Sequence, residues 1–408
     1  MASVSSGDTA WVLVSTALVM LMTPGLALFY GGLVRRKNVL SVMMYCLGAY
    51  ATVSLVWVLL GFSLVFGRDL HGFIGGLEYA GLRGLDIGSV WPGTRIPALA
   101  FAGFQSVFAA IATAIIASAI AEKGRVDSWL LFSTLWVLLV YSVIGHWLWG
   151  GGWASRLGAI DFAGGMVVHI ASGFSALALA LVVGRRRGVD SVEPVPHNLP
   201  LVLTGTGLLW FGWLGFNAGS ALAANGLAAN ALLVTNIAAS AGGLAWALAA
   251  WLNHGRPGSV AFASGAVAGL VAITPAAGYV GPLAAMVIGA VAGMWSYYWV
   301  SYRIRHGLDE VLDAWAVHGM SGVWGSIATA IFANPSVNNV AGLIYGNTHL
   351  FLAQLAATAA SIVWAFTVSY ALAWLVAKTL GWRIPEQAEY IGLDLSELGE
   401  EAYETLPS

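Results

Sequence analysis

The stretch DFAGGMVVHIASG, residues 161–173, sets a histidine in an apolar run, and its last six residues, Val168-His169-x-x-Ser172-Gly173, return as Val317-His318-x-x-Ser321-Gly322. Each copy lies in a segment long enough to cross a bilayer. An imidazole carries two hydrogen-bonding nitrogens and is costly to bury in hydrocarbon, so intramembrane ionisable residues usually line an ion, proton or substrate path. One such ring alone is equally well read as a hydrogen-bonding contact to a neighbouring helix. Two copies of one frame, about 150 residues apart, point instead to an internal repeat whose halves face each other across a shared site near the bilayer midplane.

Composition sets the class. Of 408 residues, 59% are hydrophobic and only 9% charged, far from any ordinary soluble domain. The chain reads as an all-α polytopic membrane protein. Its 51 glycines fit that reading, because small residues let helix backbones approach closely where no hydrophobic effect draws helices together. A net charge of -2, from 17 basic and 19 acidic residues, marks no nucleic-acid surface. The single Cys46 excludes an intramolecular disulfide and reads as a packing residue. No basic residue precedes the first apolar stretch in MASVSSGDTA, so the N-terminus does not resemble a cleavable signal peptide and the first helix is expected to stay.

Charges, glycines and prolines divide the chain into eleven apolar spans, near 8–33, 40–66, 97–121, 128–148, 162–184, 199–222, 227–252, 259–277, 280–302, 311–333 and 349–378. The eighth and ninth meet at Gly278-Tyr279 between Pro275 and Pro282, and merging them would leave ten. Basic residues decide between the counts. Loops after odd-numbered spans and the C-terminal tail hold Arg35, Arg36, Lys37, Lys123, Arg125, Arg185, Arg186, Arg187, Arg256, Arg303, Arg305, Lys378 and Arg383; the other loops hold only Arg68, Arg83, Arg95 and Arg156. The positive-inside rule then puts the N-terminus outside and the C-terminus in the cytosol, which requires an odd number of spans.

On this topology the fifth span runs inward and the tenth outward. His169 lies eight residues after Asp161, and His318 eight after Glu310. At 1.5 Å per residue both rings sit roughly 12 Å in, near the middle of a ~30 Å core. Spans one to five (8–184) and six to ten (199–333) would be inverted repeats, and the long eleventh (349–378) an extra, tilted helix. The transmembrane domain is expected over 1–380, with a cytosolic tail at 381–408.

Asp161 reads as a helix N-cap, its carboxylate meeting free backbone N–H groups, and it also puts a negative charge near an entry vestibule. Most of the 19 tryptophans should be interfacial anchors. A cation stripped of water, however, needs π faces or oxygen ligands. Trp149 in HWLWGGGW, Phe108 in the outer part of the third span and Phe216 in FGWLGFNAGS offer faces, and Ser220, one helical turn after Phe216, offers an acceptor.

TPGLALFYGGLVRRKN at 23–38, the stretch from Gln105 to Glu122, GHWLWGGGW at 145–153, DFAGGMVVHIASG at 161–173, FGWLGFNAGS at 211–220, AGLVAITPAAGYVGP at 268–282 and VHGMSG at 317–322 together resemble the Amt/Mep ammonium transporters, relatives of the Rhesus proteins. The likeness extends to the tail GWRIPEQAEYIGLDLSELGEEAY. It implies an eleven-span fold with a pseudo-twofold axis in the membrane plane, a homotrimer in the plasma membrane, and one pore per subunit. Matched by position, Phe108, Trp149 and Ser220 would recruit substrate, Phe108 and Phe216 would form a stacked gate, and His169 and His318 would be paired pore imidazoles. Glu310 replaces the second Asp of the usual acidic pair, and Trp315 stands where Phe is common.

The function this implies is ammonium transport. Ammonium, or methylammonium as an analogue, would be held by the aromatic and serine site and pass the histidines as ammonia with a relayed proton. A Rhesus-like channel for ammonia or carbon dioxide is one rival, disfavoured by DFAGG and the Trp149 site; an ammonium sensor acting through a separate partner is another. An enzyme is not indicated. The carboxylates lie about two helical turns from the histidines, no third metal ligand is evident, and no cofactor is implied. A PII-type regulator on the cytosolic face follows from the family likeness alone.

Overall fold

The computed structural model describes residues 3–187 and 195–403. Its apolar runs fold into eleven principal helices: α1 Ser6–Leu33, α2 Arg36–Phe66, α3 Ala98–Ala119, α4 from Val126–Trp136 through a π turn at Val137–Tyr141 to Ser142–Leu148, α5 Gly165–Val183, α6 Leu199–Gly219, α7 Gly226–His254, α8 Ser259–Ile273, α9 Pro282–Arg305, α10 as Trp315–Met320 followed by Ser321–Phe332, and α11 Thr348–Thr379. Among the described residues nine are long and apolar enough to cross a membrane; α8 and α10 are the shorter pair. The protein is an all-α polytopic membrane protein. At 1.5 Å per residue the 32 residues of α11 reach about 48 Å, well beyond a ~30 Å core, so this helix must tilt.

Three of these helices are shorter than the apolar runs that contain them. Helix α8 stops at Ile273, four residues before its run ends, because Pro275 has no N–H to continue the ladder. The turn that follows is buried in protein, the one setting in which irregular backbone is tolerated at membrane depth. Helices α5 and α10 begin late for a shared reason. The chain takes a positive φ at Gly164 (115°) and at Asp313 (64°), and a π-helical turn follows in each, Gly165–Ile170 and Trp315–Met320. Broken helices at matching places in two halves are the mark of a repeat built around a site.

Packing brings the halves together. Helix α1 lies along α6, the first helix of one half against the first of the other, with Trp11 Nε1 donating to Ala218 O at 3.1 Å. Helices α5 and α10 cross where Gly173 meets Gly319, and a Cβ at 173 would run into the Gly319 backbone. Only that close approach lets side chains four and one residues away face each other.

On the face that carries the N-terminus, a small hairpin pairs β1 Asp69–Leu70 with β2 Ile74–Gly75, antiparallel, with Asp69 opposite Gly75. On the opposite face the segment after α11 folds back onto the loops. Asp394 accepts from Leu40 N (3.0 Å) and Ser41 N (2.8 Å), and Arg383 pairs with Glu389 at 2.6 Å. Beside it, Asp309 faces Arg186 (2.7 Å) and Lys123 (3.5 Å), while Glu122 takes Arg186 (3.0 Å) and Arg35 (2.9 Å).

Burial would raise the Asp309 carboxyl, but the Lys123 charge and the Arg186 contacts outweigh it and hold it well below the usual carboxylate range. Its contribution to stability is thus present above the unfolded carboxylate value and is lost only as pH falls through the depressed folded value. Lys123 runs the other way. Burial lowers its amine to about 8, so while charged it opposes folding, and that penalty fades as pH rises through this value. Asp309→Asn leaves two buried cations short of a partner and is expected to cost on the order of 3–5 kcal/mol, read as a large drop in Tm in detergent. An unchanged Tm would show the cluster to be dispensable.

Candidate functional site

The start of α5 is organised by one carboxylate. Asp161 Oδ1 accepts from Gly164 N (2.9 Å) and Gly165 N (2.6 Å), and Oδ2 from Met166 N (2.8 Å) and Val167 N (3.2 Å). These are the N–H groups that a helix start leaves without partners. Glu310, at the matching place before α10, takes only Trp315 N (3.0 Å), and its Oε1 has no partner among the described residues. Half of the pseudo-symmetric pair is therefore a full cap and half is not.

Eight residues beyond these acids the two histidines meet. His169 Nδ1 and His318 Nδ1 lie 3.2 Å apart, with ring centres at 5.3 Å and planes at 29°. A hydrogen bond between two δ nitrogens needs one ring to donate and the other to accept, so when neutral the pair holds opposite tautomers. His169 Nε2 is buried without a partner among the described residues, which leaves it open to a guest. The gap beside the pair is lined by Met22, Leu26, Ile111, Ile115, Val168, Leu209, Trp213 and Phe216, and its volume is about 10 Å³. That is close to the room one water-sized molecule needs. Apart from the two imidazoles the lining is apolar.

Towards the N-terminal face a series of rings leads away from the pair. His169 lies 6.0 Å from Phe216; Phe216 stacks on Phe108 at 4.1 Å and 28°; Phe108 meets Trp149 edge-on at 6.2 Å and 82°. Phe108 and Phe216 are 1% and 0% exposed, and of this stacked pair Phe216 lines the gap beside the histidines. Above them opens a cavity of about 500 Å³ whose lining includes Trp149, Phe108, Ser220, Asp161 and Gln105. Trp149 Nε1 donates to Asp161 O at 2.8 Å, which orients the indole. The Ser220 hydroxyl donates to Phe216 O at 2.9 Å, so its proton is committed and its lone pairs are left to accept.

All of the candidate residues Phe108, Trp149, Asp161, His169, Phe216, Ser220 and His318 thus fall along one path. Two further residues lie beside it. Trp213 stacks on His169 at 5.2 Å and 19°, and its Nε1 donates to Thr274 Oγ1 at 2.8 Å. Gln105 lines the open cavity, and its buried Oε1 has no partner among the described residues. Each lies three residues before a ring that was singled out, Phe216 and Phe108, and the one-turn spacing is the signal that could have found them.

Comparison with known proteins agrees with this architecture. The sequence pattern described as Ammonium Transporter Family matches residues 10–403. Among similar proteins, the ammonium transporter Amt1 of Archaeoglobus fulgidus is 50% identical over 402 residues, covering 98% of this chain and 100% of the relative. The ammonium transporter of Bacillus subtilis is 47% identical, covering 98% of each. Of solved structures, Saccharomyces cerevisiae Mep2 superposes with a TM-score of 0.87 at 34% identity, over 94% of this chain and 89% of that one. A structure titled Sensor Amt Protein superposes with a TM-score of 0.89 at 31% identity, over 96% and 98%. With sequence and fold matched from end to end, the chain belongs to the ammonium transporter family, a family of transporters and not of enzymes.

Proposed function

We propose that this protein recruits NH4+ in the open cavity, takes a proton from it and passes NH3 beyond the paired phenyl rings, with the proton relayed by His169 and His318. The observation that carries this reading is the unbroken series of rings from Trp149 to His318 above a gap of about 10 Å³. An ion is attracted to the cavity by the π faces of Trp149 and Phe108, and ammonium, unlike potassium, can also donate a hydrogen bond to Ser220. A bare cation in the apolar gap is expensive, whereas neutral ammonia is not. The two imidazoles are the polar groups able to carry the separated proton.

In this reading the N-terminal face is outside, supported by the excess of basic residues on the opposite face, and the protein works in the plasma membrane. It assembles as a homotrimer with one passage per subunit, and a PII-type regulator docks on the cytosolic face. The sensor and gas-channel readings are not adopted, because relatives named as transporters match at 50% and 47% identity, against 31% for the sensor structure.

Electrical recording from proteoliposomes given an ammonium pulse tests the proposal. Ammonium and methylammonium are expected to give transient currents and sodium and potassium none; equal potassium currents would overturn it. Trp149→Leu removes a cation–π contact worth roughly 1 kcal/mol, so the half-saturating ammonium concentration should rise about fivefold. An unchanged concentration dependence and selectivity would reduce Trp149 to a membrane anchor.

A further inference from the structure

We propose that His146, clamped between Val65 and Asp69, is the positioning residue that holds Trp149 over the cavity. This rests on the recruitment role argued above for Trp149. His146 sits in the last turn of α4 and is completely buried. Its Nδ1 lies 2.7 Å from Val65 O and its Nε2 2.8 Å from Asp69 Oδ1.

Val65 O can only accept. Asp69 is in turn surrounded by donors, with Arg156 Nη2 at 2.6 Å and Gly72 N at 2.8 and 3.0 Å from its two oxygens. Its carboxyl is held below the usual range, first of all by the His146 hydrogen bond and then by Arg156 and Gly72, so it too acts as an acceptor. One ring therefore spans the space between the end of α2, the β1–β2 hairpin and α4, held at both nitrogens.

The backbone of the same residue shapes the turn that presents Trp149. His146 O accepts from Gly150 N (3.1 Å) and Gly152 N (2.9 Å), which reverses the chain just after the indole. A Cβ at Gly150 would run into Val65 O and the His146 ring, so the turn closes against the clamp only with glycine there. Trp153 N then donates to Gly72 O at 2.9 Å and ties the next turn to the hairpin. Trp149 is thus suspended from two points, its indole N–H on Asp161 O and its backbone on the His146 clamp. Three glycines follow it, Gly150, Gly151 and Gly152, and such a segment has too much conformational freedom to hold an indole in place unaided. Neither His146 nor Asp69 is among the residues that line the cavity, so neither touches its contents directly, and the packed route from them to the cavity is Trp149.

The test is a double-mutant cycle on reconstituted full-length protein, reading half-saturating ammonium concentration and maximal current separately. His146→Ala and Asp69→Ala should each raise the half-saturating concentration about fivefold, as loss of the Trp149 contact would, while maximal current holds. Added to Trp149→Leu, neither should have any further effect. Additive effects in the double variants, or loss of maximal current at unchanged half-saturation, would overturn the proposal. A silent Trp149→Leu would instead remove the recruitment reading beneath it, so the two failures are distinguishable. If His146→Ala does not fold, Asp69→Ala decides alone, because its side chain is 21% exposed and its loss leaves no hole in the core.

Discussion

Replacing both His169 and His318 with alanine is expected to lower the selective ammonium current by roughly a hundredfold, the lower end of what proton transfer by a positioned side chain contributes. The two δ nitrogens are 3.2 Å apart in a gap otherwise lined by apolar side chains. Removing one ring leaves the other without its partner, and removing both leaves no group that can take a proton from ammonium and hand it on. A second outcome follows from volume. Two imidazoles replaced by methyl groups enlarge the gap well beyond its present 10 Å³ or so, enough to admit several waters. Hydrated cations could then cross, and the residual current would no longer distinguish ammonium from potassium. Recording both currents for the single variants and the double variant separates the cases. Wild-type size and selectivity in the double variant would mean that the pair is only structural.

Asp161→Ala is expected to be the most destabilising single change at the site. Four backbone N–H groups at the start of α5 share that carboxylate, and each donor left buried and unpaired costs about 1–3 kcal/mol. Even partial relief by water leaves a loss on the order of 5 kcal/mol, enough to prevent recovery of folded protein or to lower its Tm severely. Asp161→Asn separates architecture from charge. Its single amide oxygen can still accept from one pair of these groups, so roughly half of the stability loss should return. If the asparagine variant is stable yet recruits ammonium poorly, the negative charge itself acts in the cavity. An alanine variant as stable as the wild type would overturn the capping argument.

Much of this architecture can be read in the linear chain. Apolar runs long enough to cross a bilayer need no partner to be recognised, and α1, α2, α6 and α7 fall within a few residues of the expected spans. The repeated histidine frame is likewise local, since an imidazole in an apolar run is unusual wherever the run packs. Less legible were the beginnings of α5 and α10. A glycine stands at Gly164 and a carboxylate at Asp313, yet neither tells from composition that a positive φ there delays the helix, because hydropathy is blind to backbone angle. The shortening of α8 could be read from Pro275 alone, yet the apolar run passes through it.

The sequence by itself determined that this is a multi-span membrane protein of two related halves with an acid and a histidine at the same spacing in each, because length, polarity and repeat are properties of neighbours along the chain. Only the tertiary structure decided that His169 and His318 touch, that Phe108 stacks on Phe216, that Trp213 lies against His169 and that His146 grips Asp69. Those contacts join residues tens to more than a hundred positions apart, and which face of a helix meets which neighbour is set by how closely backbones pass. At Gly173 and Gly319 the absence of a single Cβ lets α5 and α10 cross near enough for two imidazoles to share a hydrogen bond.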